Sequence, residues 1–298
     1  MTLASAKTTK KAKPFLKWAG GKGQLLDQID ARLPEALRRG EIDTYVEPFV
    51  GGGAVFFHVA QKYEERITTS YLFDINEDLV ACYKAVKKKP ESVISELQEL
   101  QSEFLTLDGS ARRDFYYRMR EEFNSDRSPA KLIFLNRTCY NGLYRVNRRN
   151  EFNVPFGDYK NPKICDADNL RDVASVLRKA NIICADFEAS ESQLGEGSFV
   201  YFDPPYRPLS ASANFTSYSK ENFSEADQTR LATFCRRVDA KGAVFLLSNS
   251  DPKNEDPRDR FFEKQYHGFR IDRVRASRPI NCKASGRGEI NELIITNY

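Results

Sequence analysis

Five short apolar runs, each closing on an acid or a turn signal, constrain this chain more than any other feature. They are TYVEPF (44–49), TSYLFDI (69–75), NIICADF (181–187), FVYFDPPY (199–206) and GAVFLLSNS (242–250). Among them lie AVFFHVAQKYEER, NEDLVACYKAVKKK, DNLRDVASVLRKA and SEADQTRLATFCRRVDAK, which read as helices. Strands alternating with helices of this length predict an α/β fold with a mostly parallel sheet. RGEINELIITNY reads as a last strand at the carboxyl terminus. In open α/β sheets ligands bind beyond the carboxyl ends of the strands, so the residues closing each run are where chemistry is expected.

Residues 79 to 159 break the alternation. The stretch is helical and charged through PESVISELQELQSEFL and RRDFYYRMREEFNS, then becomes FLNRTCYNGLYRVNRRNEFNVPFGDY, dense in Asn, Arg and aromatic residues. It reads as an inserted module, with RVNRRNEFNV having the character of a β-hairpin. The net charge of +4 says little; its distribution says more. Six lysines and no acid lie between Met1 and Leu26, five basic residues and no acid between Lys131 and Asn150, and six basic residues against Asp272 between Arg270 and Arg287. Such one-sign stretches in a nearly balanced chain suggest a polyanionic partner. The six cysteines form no C-x-x-C pair and there are only two histidines, so neither a metal site nor a disulfide framework is expected. Residues 1–13 read as a flexible basic tail without the apolar core of a signal peptide, and no apolar run is long enough for a membrane. A soluble, cytoplasmic protein is expected.

FLKWAGGKGQLL superficially resembles a phosphate-binding loop, but Gly23 stands where Ser or Thr would follow Lys22. YVEPFVGGGAVFF is a strand, a triple-glycine turn at Gly51, Gly52 and Gly53, and a helix start, the geometry of a nucleotide-type site. The next strand ends in Asp74, 21 residues beyond Gly53, an interval suited to bonding ribose hydroxyls. Asp186 with Phe187 closes the third strand, an acid and a ring that suit an adenine. A nucleoside site without a phosphate cradle points to S-adenosylmethionine. In FVYFDPPY, Asp203, Pro204, Pro205 and Tyr206 form a stiff turn, because proline cannot continue a central strand and keeps the preceding residue extended.

With these motifs in order, the sequence resembles the Dam family of DNA adenine-N6 methyltransferases in its alpha-type arrangement. The matching stretches are FLKWAGGK, EPFVGGGAVFF, FDIN, FLNRTCYNGLYRVN, FNVPFGDY, FDPPY and NFTSYS, with a weaker RPINCKASGRGEINELIITNY closing the chain. The resemblance implies a Rossmann-like methyltransferase sheet with helices on both faces, formed by residues 14–78 and 160–298. Residues 79–159 would be an inserted, mainly helical target-recognition domain with a β-hairpin. It implies that Trp18, Ala19, Gly20, Gly21, Lys22, Glu47, Pro48, Phe49, the Gly51–Gly53 loop, Asp74, Asp186, Phe187 and Asp203 surround S-adenosylmethionine. Asp203, Pro204, Pro205 and Tyr206 would be catalytic and receive the target base. Lys17, Arg137, Tyr140, Asn141, Leu143, Arg145, Asn147, Pro155 and Tyr159 would meet double-stranded DNA, Arg145 and Lys17 as base-edge readers, with GATC the implied site. A companion restriction endonuclease is left open, and a monomer is expected. Methylation of RNA or of a protein amide shares the D-P-P-Y logic, but the Arg-rich insert weighs against it; cytosine-N4 enzymes more often carry Ser at the position of Asp203.

Overall fold

The computed structural model describes residues 12–207, 223–277 and 289–298; NFTSYS and the RPINCKASGRG portion of the closing motif lie outside them. Its strands are β1 (Thr44–Glu47), β2 (Thr69–Asp74), β3 (Ala180–Cys184), β4 (Ser198–Phe202), β5 (Val244–Ser250), β6 (Arg270–Ser277) and β7 (Glu289–Thr296). The helices are α1 (Leu26–Asp30), α2 (Glu35–Arg39), α3 (Ala54–Lys62), α4 (Glu77–Lys88), α5 (Pro90–Thr106), α6 (Gly109–Asp126), α7 (Pro129–Thr138), α8 (Ala167–Val176), α9 (Glu225–Ala240) and α10 (Phe261–Gln265). Helix starts follow local chemistry. Asn76 accepts the Leu79 N–H at the head of α4 (2.9 Å), and Ser224 and Asp227 make a reciprocal capping box on α9.

The strands form one sheet in the order β3-β2-β1-β4-β5-β7-β6. β3, β2, β1, β4 and β5 run parallel; β7 is antiparallel to both β5 and β6. Strand order reverses between β1 and β4, where Tyr45 pairs with Phe199 and Val46 with Val200. A crevice opens at such a switch point.

Alternate residues of each central strand face opposite sides. Tyr45, Leu72, Phe199, Tyr201, Leu246 and Ile294 join one core with α1 to α8. Val46, Phe73, Val200, Phe202, Phe245, Leu247, Leu293 and Ile295 join a second with α9 and α10. Both faces of this Rossmann-like sheet are therefore covered, which is why the parallel strands read as nearly continuous apolar runs. The reading from sequence did not anticipate β6. Its RIDRVRAS is dominated by charge, and an edge strand in which Val274 alone is buried among Arg270–Arg275 needs no apolar run.

α5, α6 and α7 follow α4 in the chain, and their Phe104, Phe115, Tyr116, Phe123 and Phe134 belong to the same core as α3, α4 and α8. The polar stretch after α7 is held by two isolated antiparallel bridges, Cys139 to Phe156 and Val146 to Phe152. The Asn147 side-chain oxygen accepts the N–H groups of Arg149 (2.9 Å) and Glu151 (3.0 Å), which closes the turn between them. Among the described residues, no helix is long and apolar enough to cross a membrane.

Candidate active site

The glycine turn after β1 lies against the end of β2. Gly51 N–H donates to Asp74 Oδ2 (3.1 Å) and Asn76 N–H to Oδ1 (2.9 Å). Gly51 has φ 47°, and a Cβ there would lie 3.0 Å from Trp18 Cδ1, so the indole covers the turn at a distance that only glycine permits. Gly53, at φ 69°, is hemmed in by the Tyr83 hydroxyl, which itself donates to Gly51 O (3.1 Å). Burial raises the Asp74 carboxyl, and the surrounding N–H groups partly offset this. Glu47, at the end of β1, is buried and accepts the Tyr45 hydroxyl (2.7 Å); burial pushes its carboxyl well above the usual range. Pro48 is buried, and Phe49 stacks on Phe187 with ring centres 5.4 Å apart.

Asp186 accepts the Glu188 N–H (3.1 Å) and receives both terminal nitrogens of Arg230 at 3.0 Å. The same guanidinium lies 4.4 Å over the Phe187 ring. Arg230, on α9, is a partner that the sequence reading missed, since an arginine among the charges of an amphipathic helix carries no distinguishing signal.

Asp203 follows β4, and its chief partner is Lys22, a residue that the resemblance had placed only among cofactor contacts. Lys22 Nζ is 2.5 Å from Asp203 Oδ1 and is buried. It also donates to Gly20 O (3.1 Å) and to the Tyr206 hydroxyl (3.2 Å). Tyr206 in turn donates to the buried Glu292 carboxylate, 2.9 Å from either oxygen. Ser248 Oγ donates to Asp203 Oδ1 (3.3 Å) and lies 2.9 Å from the Tyr201 hydroxyl. Burial raises the Asp203 carboxyl, while the Lys22 charge and the Ser248 hydroxyl pull it back. Burial works against the Lys22 ammonium, yet Asp203, Tyr206 and Glu292 outweigh it and hold Lys22 above the ordinary lysine value. Pro204 is buried; Pro205 is exposed, with its carbonyl accepting from Gln228 Nε2 (2.9 Å). Glu292, on β7, was legible only as part of a strand. Ala19, Gly20 and Gly21 are exposed beside Lys22.

Several residues expected to meet DNA share one surface. Lys17 bonds Asn136 Oδ1 through its N–H (2.8 Å), and its ammonium lies 5.1 Å over the Tyr159 ring. The Tyr159 hydroxyl accepts the Asn141 N–H (2.9 Å), and Pro155 O accepts the Tyr140 N–H (2.9 Å). Tyr140 and Leu143 are exposed by 54% and 40%, large for apolar side chains. Arg145 Nε and Nη2 bond the Asn153 side chain (2.7 Å) and carbonyl (2.9 Å), so its guanidinium plane is fixed. Asn147 shapes its turn, as described. Arg137 donates to Phe15 O (2.7 Å), which fastens α7 to the amino-terminal segment.

Residues 18–280 match the family model of D12 class N6 adenine-specific DNA methyltransferases. The chain is 52% identical over 295 residues to the Type II methyltransferase M.MjaIII of Methanocaldococcus jannaschii, covering 96% of this chain and 99% of that protein. It is 39% identical over 290 residues to the DNA adenine methylase of Serratia marcescens, covering 96% and 98%. To the DNA adenine methylase of Escherichia coli K12 it is 36% identical over 289 residues, covering 96% and 95%. Likeness of this extent reaches through the glycine turn, the Asp203 turn and the residues between β2 and β3 alike. This chain belongs to the D12 class of N6 adenine-specific DNA methyltransferases.

Proposed function

We propose that this adenine-specific DNA methyltransferase acts at GATC, extrudes the target adenine from the duplex, and transfers to its N6 the methyl of S-adenosylmethionine. The observation that carries the reading is the Asp203 turn, a carboxylate, two prolines and a tyrosine at the switch point of the sheet, beside the glycine turn and Asp74. Membership of the family implies S-adenosylmethionine, and the residues present fit it. Gly51 has no side chain to hold Trp18 off the turn, Asp74 ends the strand beyond it, and half-buried Phe49, backed by the buried Phe187, supplies flat apolar surface. When bound, the cofactor supplies a strongly activated methyl group.

The exocyclic amine of adenine is a poor nucleophile because its lone pair is delocalised into the ring. The Asp203 carboxylate and the Pro204 carbonyl each accept one amine hydrogen, which favours a pyramidal nitrogen with its lone pair exposed. Asp203 does not deprotonate neutral adenine beforehand, since even a carboxyl that burial raises from its ordinary value of about 3.9 is far too weak a base for a neutral amine. The proton leaves once transfer has begun. Positioning of this kind supplies up to about 7–11 kcal/mol. Flipping costs a few kcal/mol, and Tyr206 offers the extruded base a ring. Residues 79–159 serve as the target-recognition module. Lys17, Tyr140, Asn141, Leu143, Arg145, Asn147, Pro155 and Tyr159 approach the duplex, with Arg145 and Lys17 as base readers, since arginine bidentate to guanine is the commonest specific contact. The Type II name of the Methanocaldococcus relative favours a companion restriction endonuclease.

The test is methylation of defined duplexes with labelled S-adenosylmethionine, followed by mapping of the modified bases. Label at adenine N6 in GATC is expected, and Arg145→Ala should relax or abolish site choice more than it weakens cofactor binding. Label only in cytosine, or only in RNA, overturns the reading.

A further inference from the structure

Tyr144 sits between the two binding surfaces and carries no role in either. Its neighbour Leu143 has an extended backbone (φ −72°, ψ 150°), and Val146 bridges to Phe152. In an extended segment successive side chains point to opposite faces. Leu143 is accordingly 40% exposed on the surface assigned to DNA, whereas Tyr144 turns into the protein. There its ring stacks on Trp18, with centres 5.2 Å apart and planes 28° from parallel. Trp18 is the residue lying directly on the Gly51 turn. The Tyr144 hydroxyl donates to Asp78 Oδ2 (2.6 Å), and Arg127 Nη1 bonds the same oxygen (2.9 Å). Arg127 also bonds the Asn150 carbonyl. Asp78 lies in the first turn of α4, whose cap Asn76 donates its N–H to Asp74. One tyrosine thus touches the Trp18 wall of the site proposed for the cofactor through its ring, and through its hydroxyl the head of the helix that follows Asp74.

We propose that Tyr144 is a positioning residue that couples recognition of the duplex to the cofactor site, so that engagement of the correct sequence at residues 143–145 tightens the pocket formed by Trp18, the Gly51 turn and Asp74. The proposal rests on the function inferred above. Contact at Leu143 and Arg145 fixes the extended segment, and the segment carries Tyr144 with it. The stack then holds Trp18 over the glycine turn, and the Asp78 bond holds the head of α4. Coupling is reciprocal, so cofactor affinity reports on it.

The experiment is calorimetric titration of the full chain with S-adenosylhomocysteine, which carries no transferable methyl, in the presence of a GATC duplex or a scrambled duplex. For the wild type, Kd should be about tenfold tighter with the GATC duplex, within the range usual for coupled sites. Tyr144→Leu should bring that ratio close to one. Tyr144→Phe, which keeps the stack and loses the Asp78 bond, should give an intermediate ratio. A wild type without any ratio, or a Tyr144→Leu protein that keeps it, overturns the proposal. Purely structural damage would weaken both titrations alike and leave the ratio intact, which counts against it too. A wild type that binds the probe but methylates no adenine overturns the reading of the activity while the ratio stays measurable.

Discussion

Asp203 and Asp251 occupy equivalent places, each following a central strand, and each takes a cation from a distant segment. Asp251 follows β5, bonds the Lys253 N–H two residues on (3.1 Å), and pairs with Arg273 Nε (2.7 Å). Asp74 and Asp186 behave in the same way toward the N–H groups of Asn76 and Glu188. Such local bonding is the ordinary habit of aspartate at a turn. Asp203 cannot follow it, because the next two residues are prolines and have no N–H. Its partners are Lys22 and Ser248, both brought from elsewhere in the fold. An acid satisfied by its own turn is locked into structure. An acid denied that turn keeps its lone pairs for groups that can be exchanged, and a substrate amine is one.

The largest expected effect comes from removing the acceptor altogether. Asp203→Ala should lower single-turnover methyl transfer by about 10²–10³-fold, the usual cost of losing one preorganised group in a transition state. Duplex binding, read by fluorescence anisotropy, should persist. Transfer within tenfold of wild type would show that Asp203 resembles Asp251 after all. Next is Lys22→Met. Burial raises the Asp203 carboxyl and the Lys22 charge opposes it, so removing that charge lifts the carboxyl further. The acid limb of the rate should move to higher pH, with a greater loss below neutrality than above it; an unmoved limb would separate Lys22 from the ionisation of Asp203. A smaller effect is expected from Pro205→Ala, which returns the missing N–H. A competing hydrogen bond of about 0.5–1.5 kcal/mol should slow transfer by up to about tenfold. A rate equal to wild type would mean that the prolines act through stiffness alone.

The comparison also marks what the sequence could disclose. β1 to β5 were legible to within a few residues, because strands covered on both faces must be apolar throughout and their ends carry acids, glycines or prolines. β6 was not, since an edge strand carrying Arg270, Arg273 and Arg275 reads as a charged surface. The glycine turn, Asp74, Asp186 and the Asp203 turn were legible because each is a local pattern. Lys22 on Asp203, Glu292 behind Tyr206, Arg230 on Asp186 and Tyr144 on Trp18 are pairings between distant segments, and no local spacing encodes them. Arg137, which the resemblance places at the DNA interface, also bonds the Phe15 carbonyl, and that pairing was equally illegible.

The acids on the structural side should behave differently. Around Asp251 lies a second network, in which Glu263 receives Lys253 Nζ (2.5 Å) and Arg273 Nη2 (2.6 Å). Burial works against its charge, but Lys253, a backbone N–H and Arg273 outweigh it and hold the carboxyl down to about 2. A depressed carboxyl stabilises the fold above its unfolded value of about 4.5, and that stability is lost as pH falls from there toward 2. The group is about a quarter exposed, so solvent screening reduces its contribution to about 1 kcal/mol. Glu263→Gln should therefore lower the midpoint of thermal unfolding at neutral pH, and the gap to wild type should close in acid. Methyl transfer should change little, because these charges tie β6 to α10. A gap that persisted unchanged into acid would deny the ion pairs their role, and a loss of transfer would join this network to the one at Asp203.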